Sequence, residues 1–279
     1  MNYPEFFSMV ASLPFAERRM TLRDQVTVIA SLKESEDGSY VLRVVTGTKG
    51  TAPTLFDLET GEERIVELTG TEIEAASAVI AINPRTRAVA VERRRPGVPL
   101  SALERLLASL GREHGYEQLT IALTPIAGVS FLEELEDFER IRRAEVLLTR
   151  PNFDWTANAT AIVGDLGAAS DADVMEVAAS ASRGQSLRKD SGIVQDIKNF
   201  VARPINGLKN VKVFGRKPGG SNETALSLER HQVRVDVTTS KGVAEVDRET
   251  VVMNRALELV ETLELPSESS VSNGAIETS

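Results

Sequence analysis

Residues 78–93, AVIAINPRTRAVAVER, decide the fold class of this chain. Two apolar, β-branched runs, 78–83 and 87–93, flank Pro84-Arg85-Thr86, which is a turn-forming link. Runs of this kind on either side of a short turn predict a β-hairpin. The stretch therefore predicts antiparallel pairing in this half of the chain.

Two further hairpins are predicted around this one. Residues 25–34 and 39–46 alternate apolar and polar side chains around Glu36-Asp37-Gly38, and 54–58 and 63–68 flank a turn at Gly61. Helical periodicity and strand-like runs then alternate, with helices predicted over 99–112 and 131–140, and strands over 118–124 and 143–149. Hairpins mixed with helices indicate an α+β fold rather than a doubly wound parallel sheet.

The second half of the chain also mixes predicted helices with predicted strands and a hairpin. Its predicted elements are a helix over 156–166, a strand over 174–179, an amphipathic helix over 191–201 with Ser191 as N-cap, a long hairpin of 211–215 and 226–237 with its tip at 216–220, and a last helix over 247–263. Pro151-Asn152 marks a plausible boundary. We expect two α/β domains with mixed, mostly antiparallel sheets, covering 1–150 and 151–265, and a disordered tail over 266–279.

The charge reverses sharply within one segment, residues 181–217, which we name the basic segment. It contains nine basic residues against the two acids Asp190 and Asp196, although the whole chain of 279 residues has a net charge of −9. A local reversal of this size indicates a surface that meets a polyanion. The alternatives are a solvated basic surface without a partner, and a surface that docks an acidic protein.

The composition narrows the kind of polyanion. Aromatic residues are 5% of the chain, and the basic segment contains only Phe200 and Phe214. Single-strand binders usually stack bases on interleaved aromatic side chains. The 191–201 helix offers little for reading base edges beyond Gln195, Lys198 and Asn199. The remaining possibility is duplex DNA bound through its phosphates, largely without sequence preference and with strong salt dependence.

Little in the sequence points to catalysis. Cysteine is absent, and His114 and His231 lie far apart without a motif, so we expect no enzyme activity, no metal and no cofactor. One enzymatic alternative is a metal-dependent nuclease that uses Asp165, Asp171, Asp173 and Glu176, although aspartates are also favoured in turns. The absence of cysteine and of any apolar run long enough to span a bilayer favours a cytoplasmic protein.

Two other charged clusters have open interpretations. The acidic segment, defined as Glu133, Glu134, Glu136, Asp137 and Glu139, is either a solvated helix face or a contact for a basic partner, including the basic segment of a second subunit. The arginines at 85, 87 and 93–95 could form a second phosphate-contacting surface or pair with the acidic segment.

With its elements placed in this way, the region from about 155 to 265 resembles the RexA-like family of phage-exclusion proteins. The similarity runs from Asp165-Leu166-Gly167-Ala168 through Gln195-Asp196-Ile197-Lys198-Asn199-Phe200 to Gly215-Arg216-Lys217 and Ser240-Lys241-Gly242. The resemblance implies a prophage-encoded homodimer that binds double-stranded DNA and acts with a membrane protein partner to abort infection. It also implies DNA contacts by Lys212, Arg216 and Lys217. The chain departs from the family pattern at Gly215, where a basic residue would be expected.

The charge pattern and the resemblance together predict a set of DNA-contacting residues and a quaternary state. The candidates are Lys212, Arg216, Lys217, Lys209, Arg203, Lys198, Lys189 and Arg188. A single basic patch on an acidic body would bind DNA weakly at physiological salt, whereas two copies would gain from effective concentration. We therefore expect a homodimer.

Overall fold

The protein divides into two compact units in a computed structural model, residues 1–106 with 237–279, and residues 107–236. The structure describes residues 2–50, 52–117, 119–149, 174–205, 207–220, 222–238 and 245–263. The helices described are α1 (Tyr3–Ser12), α2 (Leu100–Glu113), α3 (Val129–Glu136), α4 (Gly192–Ala202) and α5 (Glu245–Thr262). The α+β prediction is confirmed.

The strands described are β1 (Arg19–Leu22), β2 (Gln25–Glu34), β3 (Tyr40–Thr48), β4 (Thr54–Phe56), β5 (Glu63–Ile65), β6 (Ala76–Asn83), β7 (Ala88–Val91), β8 (Arg140–Thr149), β9 (Val174–Ser180), β10 (Leu208–Arg216) and β11 (Thr224–Ser227). Their pairings are antiparallel. The three hairpins predicted in the first hundred residues are confirmed as β2–β3, β4–β5 and β6–β7.

The first unit is built on a five-stranded sheet of order β1-β2-β3-β6-β7. Strand β6, which contains residues 78–83, is buried on both of its faces, because a helix packs on each side of the sheet. On one face Val41 and Val79 pack with Val252 and Val260 of α5. On the other face Phe7 of α1 contacts Tyr40, with ring centroids 5.8 Å apart. This two-sided burial explains why the 78–83 run is almost continuously apolar.

The second unit is built on a four-stranded sheet of order β11-β10-β8-β9. One face of this sheet carries the core, where Val146 of β8 and Val213 of β10 are buried with α3 and α4. Burying an aliphatic or aromatic side chain contributes about 1.5–3 kcal/mol. The members that α3 and α4 supply are Phe131, Leu135, Val194, Ile197 and Phe200. These apolar anchors fix the two helices, and hence their charged side chains, against the sheet.

One predicted strand is absent from the described residues, and another is shorter than predicted. The described residues 119–124 form no strand, although their apolar alternation is real. The predicted return strand over 226–237 ends at Ser227, where the chain enters a 3-10 turn at Leu228–Arg230. Beyond that turn the chain pairs with residues 126–128 instead of β10, through Gly128 N to His231 O at 2.7 Å and Val233 N to Ile126 O at 2.8 Å.

The division into units also differs from the predicted boundary at residue 150. Strand β8, placed in the first domain by sequence, hydrogen-bonds to both β9 and β10 and so belongs with the later residues. Helix α5, placed in the second domain, packs on the first sheet. The predicted helix over 156–166 and the predicted tail over 266–279 lie outside the described residues. Over the described residues, no helix has both the length and the apolar character needed to cross a membrane.

Candidate nucleic-acid interface

Strand β10 forms the frame of the candidate interface. Its burial alternates, so Val211, Val213 and Gly215 face the core, whereas Lys212 is exposed on the opposite face. Lys212 lies across from Glu145 of β8 and Ser227 of β11. This alternation is what a strand with one buried face requires.

Gly215 is glycine for a packing reason. A Cβ atom at this position would lie 2.6 Å from the carbonyl oxygen of Arg140 and 2.8 Å from the ring of Phe138. No side chain fits there without moving the backbone of β8 or the buried Phe138. The departure from the resembled family at this position is therefore explained by close packing between β10 and β8.

The predicted hairpin tip after β10 is confirmed, although the hairpin is shorter than expected. Strands β10 and β11 pair from Lys212 with Ser227 to Gly215 with Thr224. Gly219 has a φ of +70°, a conformation that glycine adopts without strain, and Gly220 N donates to Lys217 O at 3.0 Å. Arg216 and Lys217 enter this turn.

The acidic segment on and after α3 holds four of the predicted DNA-contacting residues. Lys217 Nζ lies 3.2 Å from Glu134 Oε2, and Arg216 Nη2 lies 3.3 Å from Glu139 Oε2. We call the cations held in this way the paired set: Lys189, Lys198, Arg216 and Lys217. The contact foreseen with a second subunit is thus made within the same chain.

Glu136 serves both remaining members of the paired set. Lys198 of α4 forms an ion pair with its carboxylate, and only 19% of the Lys198 side chain is exposed. Lys189 Nζ donates to the Glu136 carbonyl oxygen at 2.5 Å and lies 4.0 Å from the carboxylate. Ser191 is the N-cap residue of α4 as predicted, although its hydroxyl makes no capping bond.

His231 was assigned no role from sequence, yet it lies at the centre of this network. Its Nε2 is 3.0 Å from Glu134 Oε1, and its Nδ1 is 3.0 Å from the Ser227 carbonyl oxygen. Each ring nitrogen of His231 therefore faces an acceptor oxygen when Glu134 is ionised. The hydrogen bond from Lys217 is the main cause that lowers the pKa of Glu134, and His231 adds to it.

An arginine cluster, missed by sequence reasoning, lies beside the hairpin. Phe214 pairs with Arg143 and Gly215 with Ile141, so Arg142 is an extra residue in β8 and forms a β-bulge. The arginine depression is a shallow hollow lined by Arg140, Arg142, Arg216 and Glu223. Arg140 and Arg216 are cross-strand partners, and like charges directly opposite each other are destabilising.

The arginine depression is only partly neutralised. Arg142 Nη1 lies 3.4 Å from Glu223 Oε1, and Arg140 Nε donates to the Gln185 carbonyl oxygen at 2.7 Å. The Nε of Arg216 is buried and has no hydrogen-bond partner among the described residues. A guanidinium carries five N–H donors, so these three arginines hold more donors than their present acceptors occupy.

The other predicted residues are placed differently. We call Arg188, Arg203 and Lys212 the exposed set, because each is exposed and has no ion-pair partner among the described residues. Lys209 is half-buried on β10. Apart from Lys209, the predicted residues therefore divide between an acid-paired group and a group open to solvent.

The nuclease alternative falls mainly on residues that cannot be placed. Asp165, Asp171 and Asp173 lie outside the described residues. Glu176 is on β9, with its carboxylate 3.9 Å from Arg143 Nη2. Within the described ranges, no three His, Cys, Asp or Glu side chains are grouped to hold a metal ion.

The fold and this surface together define an α+β protein with a basic hairpin edge that is partly covered by its own acidic helix. The chain belongs to the DUF4747 family, a domain of unknown function, whose model matches residues 1–250. A search of curated proteins finds no match to the chain. The resemblance to RexA stays a prediction.

Proposed function

We propose that the chain is a sequence-nonspecific double-stranded DNA-binding protein, without enzyme activity, that contacts phosphates through the hairpin edge of its second unit. The observation that supports this most strongly is the arginine depression, where Arg140, Arg142 and Arg216 come from two neighbouring strands. Arginine forms two parallel hydrogen bonds to a phosphate, and its guanidinium fork favours planar recognition of oxyanions. A bound phosphate would also relieve the repulsion between Arg140 and Arg216.

The surroundings favour backbone contacts over base readout. The exposed set lies on the same unit and adds cations, whereas the basic segment has only two aromatic residues, the buried Phe200 and the half-buried Phe214, which is few for stacking successive bases. Phosphate contacts fix a protein on a duplex but carry no sequence information. The acidic remainder of the chain would repel DNA elsewhere and so orient this edge toward the duplex.

The biological setting follows from the resemblance to RexA alone. We propose a prophage-encoded phage-exclusion component that acts in the cytoplasm as a homodimer with a membrane protein partner. Light scattering at micromolar concentration tests the quaternary state, because a monomer would argue against two joined patches. Cultures that carry the gene should survive challenge by unrelated phages better than cultures with the R140A/R142A variant.

Fluorescence anisotropy with labelled duplexes of unrelated sequence tests DNA binding. The wild-type protein should bind these duplexes with similar affinity, and log K should fall steeply with log salt concentration. Removing two phosphate contacts in R140A/R142A should make that slope shallower by about 2 units. A parallel series with magnesium detects the nuclease alternative, because cleavage of the duplex would contradict a purely binding role.

The matched control is R105A/R112A, which removes two exposed arginines of α2. It changes the net charge equally, so it should keep the wild-type slope if the arginine depression makes the contacts. Equal losses in both double variants would mean that bulk charge governs binding. Unchanged binding in R140A/R142A would rule out the depression as the interface.

A second candidate function is docking of an acidic protein segment. The acidic segment of this chain already places carboxylates on the paired set, which demonstrates that carboxylates fit these cations. A fluorescent poly-glutamate peptide in the same anisotropy assay distinguishes the two. Tight binding of the peptide with no binding of duplex DNA would favour the docking function.

A further inference from the structure

The carboxylates of the acidic segment contact four of the cations that the sequence assigns to DNA binding. Glu134 and Glu139 place oxygens 3.2 and 3.3 Å from Lys217 and Arg216, within the reach of a charge-assisted contact. The Glu136 carboxylate forms an ion pair with Lys198 and lies 4.0 Å from Lys189 Nζ, which also donates to the Glu136 carbonyl oxygen. Anionic oxygens of a DNA backbone would compete for the same N–H donors.

We propose that the acidic segment is an internal competitor that keeps the interface closed until DNA phosphates displace its carboxylates. This inference rests on the proposed function, since it requires that the paired set contacts DNA. The protein would then bind DNA more weakly than its basic segment alone allows. Conditions that neutralise or withdraw Glu134, Glu136 and Glu139 would open the interface.

The segment is built so that its acids can be displaced while α3 stays in place. Phe131 and Leu135 of α3, and Phe138 just after it, are buried in the core of the second unit. The carboxylates themselves lie at the surface, and more than half of the Glu136 side chain is exposed. Side-chain rotation of Glu134, Glu136 and Glu139 is enough to withdraw their carboxylates, whereas the hydrogen bond from Lys189 Nζ to the Glu136 carbonyl oxygen stays in place.

The size of the effect follows from the number of contacts. Each exposed ion pair is individually weak, so several of them together reduce the apparent affinity by about tenfold to a hundredfold. Such a reduction is large enough to regulate binding and small enough for a polyanion to overcome. The lowered pKa of Glu134 is consistent with a carboxylate that is held ionised by Lys217 and His231.

The test compares two double variants of the same short segment. E134Q/E136Q removes carboxylates that contact Lys217, His231, Lys198 and Lys189. E133Q/D137N removes two charges whose side chains have no ion-pair partner among the described residues. Both changes preserve side-chain shape and alter the net charge equally.

We expect E134Q/E136Q to bind duplex DNA at least tenfold more tightly than the wild type, and E133Q/D137N to gain no more than about twofold. Equal gains would overturn the proposal, because they would reflect net charge alone, and so would no gain in E134Q/E136Q. Failure of every variant to bind would instead overturn DNA binding itself, and the competitor with it. Should the double variant unfold, E136Q alone carries the same test through Lys198, whose ion pair is with the Glu136 carboxylate.

Discussion

The basic segment contains two kinds of cation that the sequence presents alike. The paired set lies against the acidic segment, whereas the exposed set faces solvent. Lys212 and Lys217 are only five positions apart, yet one is exposed on the sheet face and the other contacts Glu134. Local charge density thus predicts where an anion binds, but not whether the chain supplies that anion itself.

Gly215 is a third kind of position on β10, because it faces the core. Its substitution should have the largest effect of all the changes considered, a loss of stability. Replacing Gly215 with Lys, to restore the cation that the resemblance would place there, should destabilise the protein by about 3 kcal/mol. The reason is that its Cβ meets the Arg140 carbonyl oxygen and the Phe138 ring. Urea denaturation of G215K measures the loss, with G219A at the exposed turn as a milder comparison.

The paired and exposed sets should differ in their salt dependence. Removing the exposed set in R188A/R203A/K212A should make the log-log salt slope shallower by about 2–3 units, since each contact releases about 0.9 counterions. Removing the paired cations in K198A/R216A/K217A should change the slope by less than about 1 unit. A carboxylate freed by DNA takes up a cation from solution, and this offsets the counterions that the DNA releases.

Anisotropy titrations at several salt concentrations check this prediction. Equal slopes for the two triple variants would mean that the paired cations neutralise phosphates as fully as the exposed set does, and that their carboxylates do not offset the release of counterions. A larger change for the paired set would reverse the comparison and make the acidic segment a simple positioning device.

The fold was predictable where a local pattern also determined the long-range partner. The β2–β3 and β6–β7 hairpins follow from alternation beside short turns. Residues 119–124 and 233–237 also alternate apolar and polar side chains. Their pairing depends on the course that the chain takes after the 3-10 turn at Leu228–Arg230, which the alternation does not predict. The α1 helix has a start signal in its sequence, an N-cap asparagine followed by proline in the first turn: Asn2 Oδ1 accepts from Glu5 N at 3.3 Å, next to Pro4.

The candidate site was predictable only in part. Lys212, Arg216 and Lys217 could be found from charge density and the hairpin tip. Arg140 and Arg142 have a weaker signal: Ile141 and Ala144 are apolar residues three positions apart, a spacing that places both on one buried face only if the strand contains a bulge. The ion pairs with Glu134 and Glu136 could not, since they depend on how α3 packs against a strand some 80 residues away in the chain.

The same two triple variants should also differ in stability. K198A/R216A/K217A removes ion pairs and leaves neighbouring carboxylates without their cations, so it should lower the free energy of unfolding by about 1–2 kcal/mol. R188A/R203A/K212A should stay within about 0.5 kcal/mol of the wild type, because its charges have no partners among the described residues. Urea denaturation at neutral pH measures both. A neutral effect of both triples would show that the ion pairs contribute little to stability.

The smallest expected effect is the pH dependence that the Glu134 carboxylate gives to the free energy of unfolding. Its pKa in the folded protein is lowered, mainly by the hydrogen bond from Lys217 Nζ. A carboxyl group with a lowered folded-state pKa stabilises the protein above its ordinary pKa of about 4.3, and this contribution is lost as the pH falls through the lowered value. The stability advantage of the wild type over E134Q should therefore be constant from pH 5 to 6 and shrink below about pH 4.3.

This advantage should stay below about 1 kcal/mol, because the Glu134 carboxylate is partly exposed and its contacts are screened by solvent. Urea denaturation of wild type, E134Q and E133Q at half-unit steps from pH 3 to 6 measures it. E133Q should follow the wild-type profile, since Glu133 has no ion-pair partner among the described residues. A wild-type advantage over E134Q that persists unchanged to pH 3 would mean that the glutamine side chain disturbs packing, and that the Glu134 carboxylate does not hold Lys217 by its charge.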